Sequence, residues 1–190
     1  MNIEPVRNTT DPTFAVAFGG GGARGLAHIH VIEVLDEMGV RPVAISGSSI
    51  GAIMGASMAS GMTGKEIRDY TLSVMGNRAE VMNRIWKLRP AGIGGFLPIG
   101  IKFTQFDIEG ICEAFLPPPV KRDFSELVIP LSITGTDYYC QEEVIMESGD
   151  LRSAIAASAA IPALFKSVKR DGRILIDGGI FNPVPFEHLE

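Results

Sequence analysis

Cysteine and histidine are both scarce in this chain. Its 190 residues hold two cysteines, Cys112 and Cys140, which excludes a disulfide scaffold and fits a reducing compartment. Without histidines beside them they make a poor zinc site, and no metal or cofactor is expected. The three histidines are His28, His30 and His188, so none falls between residues 31 and 187. No apolar run approaches the ~18 residues of a membrane span. The N-terminal stretch "MNIEPVRNTTDPT" has no apolar signal-peptide core, so a cytoplasmic protein is expected. Positive charge is also in deficit. A net charge of −5 and a pI near 5.3 argue against a nucleic-acid partner. Hydrophobic residues at 46% are enough for a sizeable core, and the length suits one domain over residues 1–190.

Glycine, in contrast, is plentiful, and four stand together at Gly19–Gly22. The apolar run "TFAVAF" before them reads as a buried strand. "ARGLAHIHVIEVLDEMG" after them reads as a helix. Ala27, Val31, Val34, Leu35 and Met38 form its expected apolar face, and Glu33, Asp36 and Glu37 its outer one. "RPVAIS" reads as a second strand, and "SIGAIMGASMAS" as a helix ending at Gly61. This alternation predicts an α/β fold with a mostly parallel central sheet covered by helices. Further on, helices are expected over 64–87, 107–115 and 150–160, the last capped by Asp150. Strands are expected at 127–137 and in "EEVIMES", and a hairpin around Asp171-Gly172.

The second strand runs into "GSSIG", residues 47–51, a G-x-S-x-G between strand and helix. In that setting the glycines clear a tight turn and Ser49 projects from its tip, beside a positive helix end. The simpler alternative is a strand-to-helix turn with a capping serine. "GGGARG", Gly20–Gly25, fits a dinucleotide fingerprint, but such a fold needs an acid at the end of the second strand, where the serine turn stands instead. A row of backbone N–H donors beside Ser49 is the better reading. Adjacent first and second strands would bring both loops to one sheet edge. Arg24 adds positive charge there, holds the loop, or is an ordinary surface arginine.

A reactive serine needs a base. His28 and His30 lie on the first helix and read as packing or boundary residues. His188 is near the chain end. Asp177 in "LIDGG" follows a short apolar strand, and two glycines clear space around it. A buried carboxylate there can accept the Ser49 proton directly. By itself it also reads as an aspartate in a glycine-rich turn.

Taken together, "GGGARG", "GSSIG", "DGG" at 177–179 and the order "LRSAIAASAAIPALF … DGGIFNPVP" resemble the patatin family of lipid acyl hydrolases, from Phe14 to Pro185. The resemblance implies a three-layer α/β/α domain, here lacking its C-terminal end. It implies a dyad of Ser49 as nucleophile and Asp177 as base. It implies an oxyanion hole from the amides of Gly20, Gly21, Gly22 and Arg24, and activity on lipid acyl esters without calcium. His30 stands where the family often has glycine. The competing functions are a serine acyltransferase, which usually needs a histidine partner, and a non-catalytic lipid-binding module, which needs neither Ser49 nor Asp177.

"IWKLRPAGIGGFLPIGIKF", residues 85–103, mixes apolar side chains with Lys87, Arg89 and Lys102. It reads as an apolar lid at a lipid-water interface, with peripheral membrane contact, or as a core-packing loop. Lys166, Lys169, Arg170 and Arg173 read as a solvated hairpin or a head-group contact. Met54, Met58, Met75 and Met82 read as core.

Overall fold

The computed structural model describes residues 12–76 and 105–189. The apolar stretch 85–103, the end of the helix expected over 64–87, Met82 and the Met75 side chain lie outside the described residues.

The chain opens with β1 (Val16–Phe18), a 3-10 turn (Gly22–Ala27), α1 (His28–Glu37), β2 (Ile45–Ser48), α2 (Ile50–Ala59) and α3 (Gly64–Gly76). Next come α4 (Ile108–Phe115), β3 (Leu131–Asp137), β4 (Glu143–Met146) and α5 (Leu151–Ser158). The β5–β6 hairpin (Val168–Arg170, Arg173–Asp177) and two 3-10 turns, Gly178–Ile180 and Phe186–Leu189, close the described chain. Local chemistry sets several boundaries. Asp150 caps α5 by accepting the Ser153 N–H at 2.7 Å, and Asp107 caps α4 through the Glu109 and Gly110 amides. Each such cap is worth ~1 kcal/mol. Asp171 and Gly172 both have positive φ, 50° and 78°, the conformation that a two-residue hairpin turn of matching twist requires.

The sheet is mixed and mostly parallel, and helices flank it. β1, β2 and β3 are parallel neighbours, β4 and β6 run against β3, and β5 runs against β6. Four of the six strands, β1, β2, β3 and β5, therefore point the same way. The register carries a further consequence. β2 and β4 both pair with Ile133 and Thr134, and β4 and β6 both pair with Gly135 and Thr136. A strand has only two edges, so β2 and β6 must share one, meeting end to end where β2 stops at Ser48.

Side chains alternate between the two faces of the sheet. On one face, Ile45 and Leu131 meet α2 at Gly55. Phe18, Ile45, Met58, Ile133, Leu151, Ile155 and Leu175 are all essentially buried in this core, and Met54 with them. On the other face, Ser46, Ser48, Thr134 and Thr136 are buried although polar. The chain after Asp177 covers them. Ser46 donates to the Pro185 carbonyl at 2.6 Å, and Thr136 to the Asp177 carbonyl at 2.9 Å.

The first helix differs from expectation in its start and its faces. The positive φ of Gly21 and Gly22 forces a 3-10 turn before α1 begins. Ile29 and Ile32 face the core, whereas Val31, Val34 and Met38 are exposed at 47%, 51% and 66%. The acids expected outside partly face α3. Asp36 accepts the Gly64 N–H at 2.6 Å at the α3 N-terminus, and Glu33 pairs with Arg68. The basic hairpin is likewise tied down in part. Arg173 pairs with Glu142 at 2.6 Å and Arg170 donates to the Asp150 carbonyl at 2.6 Å, while Lys166 and Lys169 stay exposed.

Candidate active site

Ser49 stands between β2 and α2 with φ 54° and ψ −122°. A side-chain-bearing residue persists there only where its surroundings hold it. The glycines around it explain how the turn closes. A Cβ on Gly47 would sit 2.7 Å from the Gly51 carbonyl oxygen, and a Cβ on Gly51 would collide with the Phe18 carbonyl. Ser49 is the residue before α2, yet its hydroxyl caps no helix amide. The Oγ instead donates to Asp177 Oδ2 at 2.7 Å. Ser49 is 8% exposed and Asp177 6%.

Asp177 reaches that place because β6 continues the lane of β2, its register partner being Gly135 where that of Ser48 is Thr134. Its N–H donates to the Ala160 carbonyl at 3.0 Å. Its Oδ1 accepts the Gly179 N–H at 2.8 Å, which leaves Oδ2 aimed at Ser49. Burial raises the Asp177 pKa above the ordinary 3.8, and the hydrogen bonds from Ser49 and Gly179 pull the other way. A carboxylate made more basic by burial and held against a hydroxyl can take its proton.

The glycine loop borders this pair. A Cβ on Gly20 would lie 3.5 Å from the Ser49 Cβ. The loop is held at two points. His28 Nε2 bonds the Gly19 carbonyl at 2.9 Å, and the Gly20 N–H donates to the Pro183 carbonyl at 2.8 Å. The Gly20 amide is thus already engaged. Among the described residues, the Gly21 and Gly22 amides donate to nothing. Their φ values of 140° and 57° suit glycine. The Arg24 N–H closes the turn onto the Gly21 carbonyl at 3.3 Å, and its exposed guanidinium makes no ion pair among the described residues.

None of the histidines bonds Ser49 or Asp177. His28 serves the glycine loop, His30 pairs with Glu33 at 3.1 Å and His188 with Glu143 at 3.0 Å. Asp137, Cys140 and Glu142 are the one metal-capable cluster among the described residues, and Arg173 already pairs with both of its acids. No described helix is long and apolar enough to cross a membrane.

Several contact residues escaped the sequence reading. Ser158 Oγ accepts the Ser49 N–H at 2.8 Å, and Pro183 and Pro185 stitch the segment after Asp177 to the glycine loop and to β2. Their only trace in the sequence was a serine within the alanine-rich run "AIAASAA" and two prolines after "DGG".

The profile of the patatin-like phospholipase family matches residues 16–189. An NTE family protein of Mycobacterium tuberculosis is 34% identical over 180 residues, 95% of this chain and 46% of that protein. A protein of Cryptococcus neoformans named lysophospholipase NTE1 is 26% identical over 176 residues, 92% of this chain and 10% of that protein. The chain thus spans less than half the length of these curated relatives. The crystal structure of VipD from Legionella pneumophila shares the fold, with TM-score 0.52 and 16% identity over 90% of this chain and 46% of that one.

Proposed function

The chain belongs to the patatin-like phospholipase family, and from that premise we propose that it is a serine lipid acyl hydrolase working through Ser49 and Asp177. The observation that carries the reading is the buried 2.7 Å hydrogen bond from Ser49 Oγ to Asp177 Oδ2. Ser49 Oγ attacks the ester carbonyl carbon as its proton passes to Asp177. The tetrahedral oxyanion is met by the free amides of Gly21 and Gly22, with Arg24 adding positive charge. One such donor is worth ~3 kcal/mol in the transition state. The C–O bond to the alcohol breaks, and the alcohol leaves with the proton from Asp177. Water then attacks the acyl-serine, gives its proton to Asp177 and releases the fatty acid, returning the proton to Ser49.

A lipid acyl ester is the substrate class that the family supports, and the name of the Cryptococcus relative supports a lysophospholipid among them. Exposed Ile161 and Leu164 follow Ser158, and exposed Ile180 and Phe181 follow Asp177, giving apolar surface to the two segments that leave the site. This favours contact with a lipid surface. The test is labelling by a fluorophosphonate together with hydrolysis of lysophosphatidylcholine micelles. Wild type should do both and Ser49→Ala neither. Labelling of Ser49→Ala at the wild-type rate would sink the proposal.

A further inference from the structure

Ser49 and Asp177 stand far apart in sequence, yet each is bonded through its backbone N–H to the same short corner. Ser158, the last residue of α5 and fully buried, accepts the Ser49 N–H on its Oγ at 2.8 Å. Two residues later the Ala160 carbonyl accepts the Asp177 N–H at 3.0 Å. The corner itself is tightly made. The Ala159 N–H donates to the Ile155 carbonyl at 3.0 Å, the Ala160 N–H to Ala157 at 3.3 Å and the Ile161 N–H to Ala159 at 2.9 Å. Ala154, Ile155, Ala156, Ala157 and Ala160 are all 0% exposed, so the corner has no room to shift.

We propose that the corner Ser158–Ala160 fixes the separation of Ser49 and Asp177, with Ser158 as a positioning residue for the attacking serine. The assignment rests on the reading of Ser49 as nucleophile given above. Its physical basis is the strained backbone of Ser49 at φ 54°. That conformation must be held from outside. The N–H of the residue preceding a helix has no partner within the helix. Here it is buried, and the Ser158 hydroxyl is its acceptor. Without that acceptor the Ser49 backbone relaxes towards negative φ and its Oγ swings from Asp177. The bond has a second effect. It commits the Ser49 amide, which is then not available to an oxyanion.

The test measures phosphonylation by a fluorophosphonate, as kinact and KI, beside kcat and KM for p-nitrophenyl butyrate. Ser158→Ala should lower kinact and kcat by about 10- to 100-fold, the cost of a misplaced reacting group, with KI and KM unchanged. Ser158→Thr, which keeps the oxygen, should recover most of the rate. A residue that merely fills the core would instead lower the folded fraction and leave kinact of the folded protein as it was. If Ser158→Ala does not fold, Ser158→Cys takes its place. Its sulfur fills the site but accepts weakly, so a reduced kinact at constant KI supports the assignment and a wild-type kinact overturns it. Wild type reacting while Ser158→Ala reacts equally fast overturns the assignment alone. A wild-type chain inert to the phosphonate overturns the reading of Ser49, and this assignment with it.

Discussion

Ser48 and Asp177 hold consecutive places along one edge of β3, opposite Thr134 and Gly135. The chain turns out of the sheet at Ser49, and β6 enters the vacated lane from the other end with Asp177 leading. The two groups therefore meet through sheet register, and neither needs a long flexible side chain to do so. Groups that act as a unit show non-additive losses. Ser49→Ala and Asp177→Asn should each lower kcat by roughly 10⁴-fold, with the double variant little worse. Steady-state kinetics on p-nitrophenyl butyrate measure this, and losses that multiply would mean that the two residues act independently.

Asp177 also predicts a pH dependence of stability. Burial raises its pKa in the folded chain above the ordinary 3.8. The folded state then holds the proton more tightly than the unfolded state does. This contribution is fully present below 3.8 and is lost as pH rises through the folded value. Asp177→Asn removes the buried charge, and with its amide oxygen on the Gly179 N–H its NH2 can donate to Ser49 Oγ. It should melt at a higher temperature than wild type at pH 7, and the advantage should shrink as pH falls towards 4. Calorimetry over that range tests it. An advantage independent of pH would assign the stabilisation to some other cause. In wild type, kcat/KM should rise with pH through an apparent pKa above 3.8, as Asp177 becomes the charged base.

The strand-helix-strand-helix opening was legible because each apolar run ends in glycine, and only one chain direction lets β1 and β2 pair side by side. Ser49 and Asp177 were legible as candidates for the same reason, since glycines flank both. Their separation was not, because it depends on where β2 stops and β6 begins on β3, and local pattern does not encode that register. The faces of α1 were misread because apolar residues occur on two sides of it. Ile29 and Ile32 won the core, while the ion pair of Glu33 with Arg68 and the hydrogen bond from the Gly64 N–H to Asp36 drew the acidic side towards α3. Ser158 was missed because a serine in an alanine-rich helix carries no signal of what its hydroxyl meets across the fold.

Gly51 is needed for close approach, and its replacement should fail through folding. A Cβ there would collide with the Phe18 carbonyl and lie 2.7 Å from the Gly19 carbonyl oxygen, both of them backbone. β1 and α2 would have to separate, at a cost of about 3 kcal/mol or more. Gly51→Ala should therefore show a lowered urea midpoint and lose activity in proportion to its folded fraction. A stable Gly51→Ala chain with selective loss of kcat would contradict this division of roles.

Gly21 and Gly22 should fail differently from Gly51 and from each other. Both are exposed, and a Cβ meets only Arg24 Cβ at 3.9 Å on Gly21 and nothing within 4 Å on Gly22. Space is not their constraint. At φ 140° Gly21 is in a region closed to other residues, so Gly21→Ala must rotate the peptide and redirect its amides. Gly22 at φ 57° is in the left-handed region, which an alanine enters for about 1–2 kcal/mol with the amides still in place. Gly21→Ala should then lower kcat by about 10²-fold with KM retained, the signature of a contact made mainly in the transition state. Gly22→Ala should lose stability and keep most of its kcat. Steady-state kinetics with a urea titration of each variant separate the two. A loop built to cradle phosphate predicts otherwise, with ester turnover untouched in both variants and nucleotide binding weakened, and that outcome would remove the oxyanion role from the glycines.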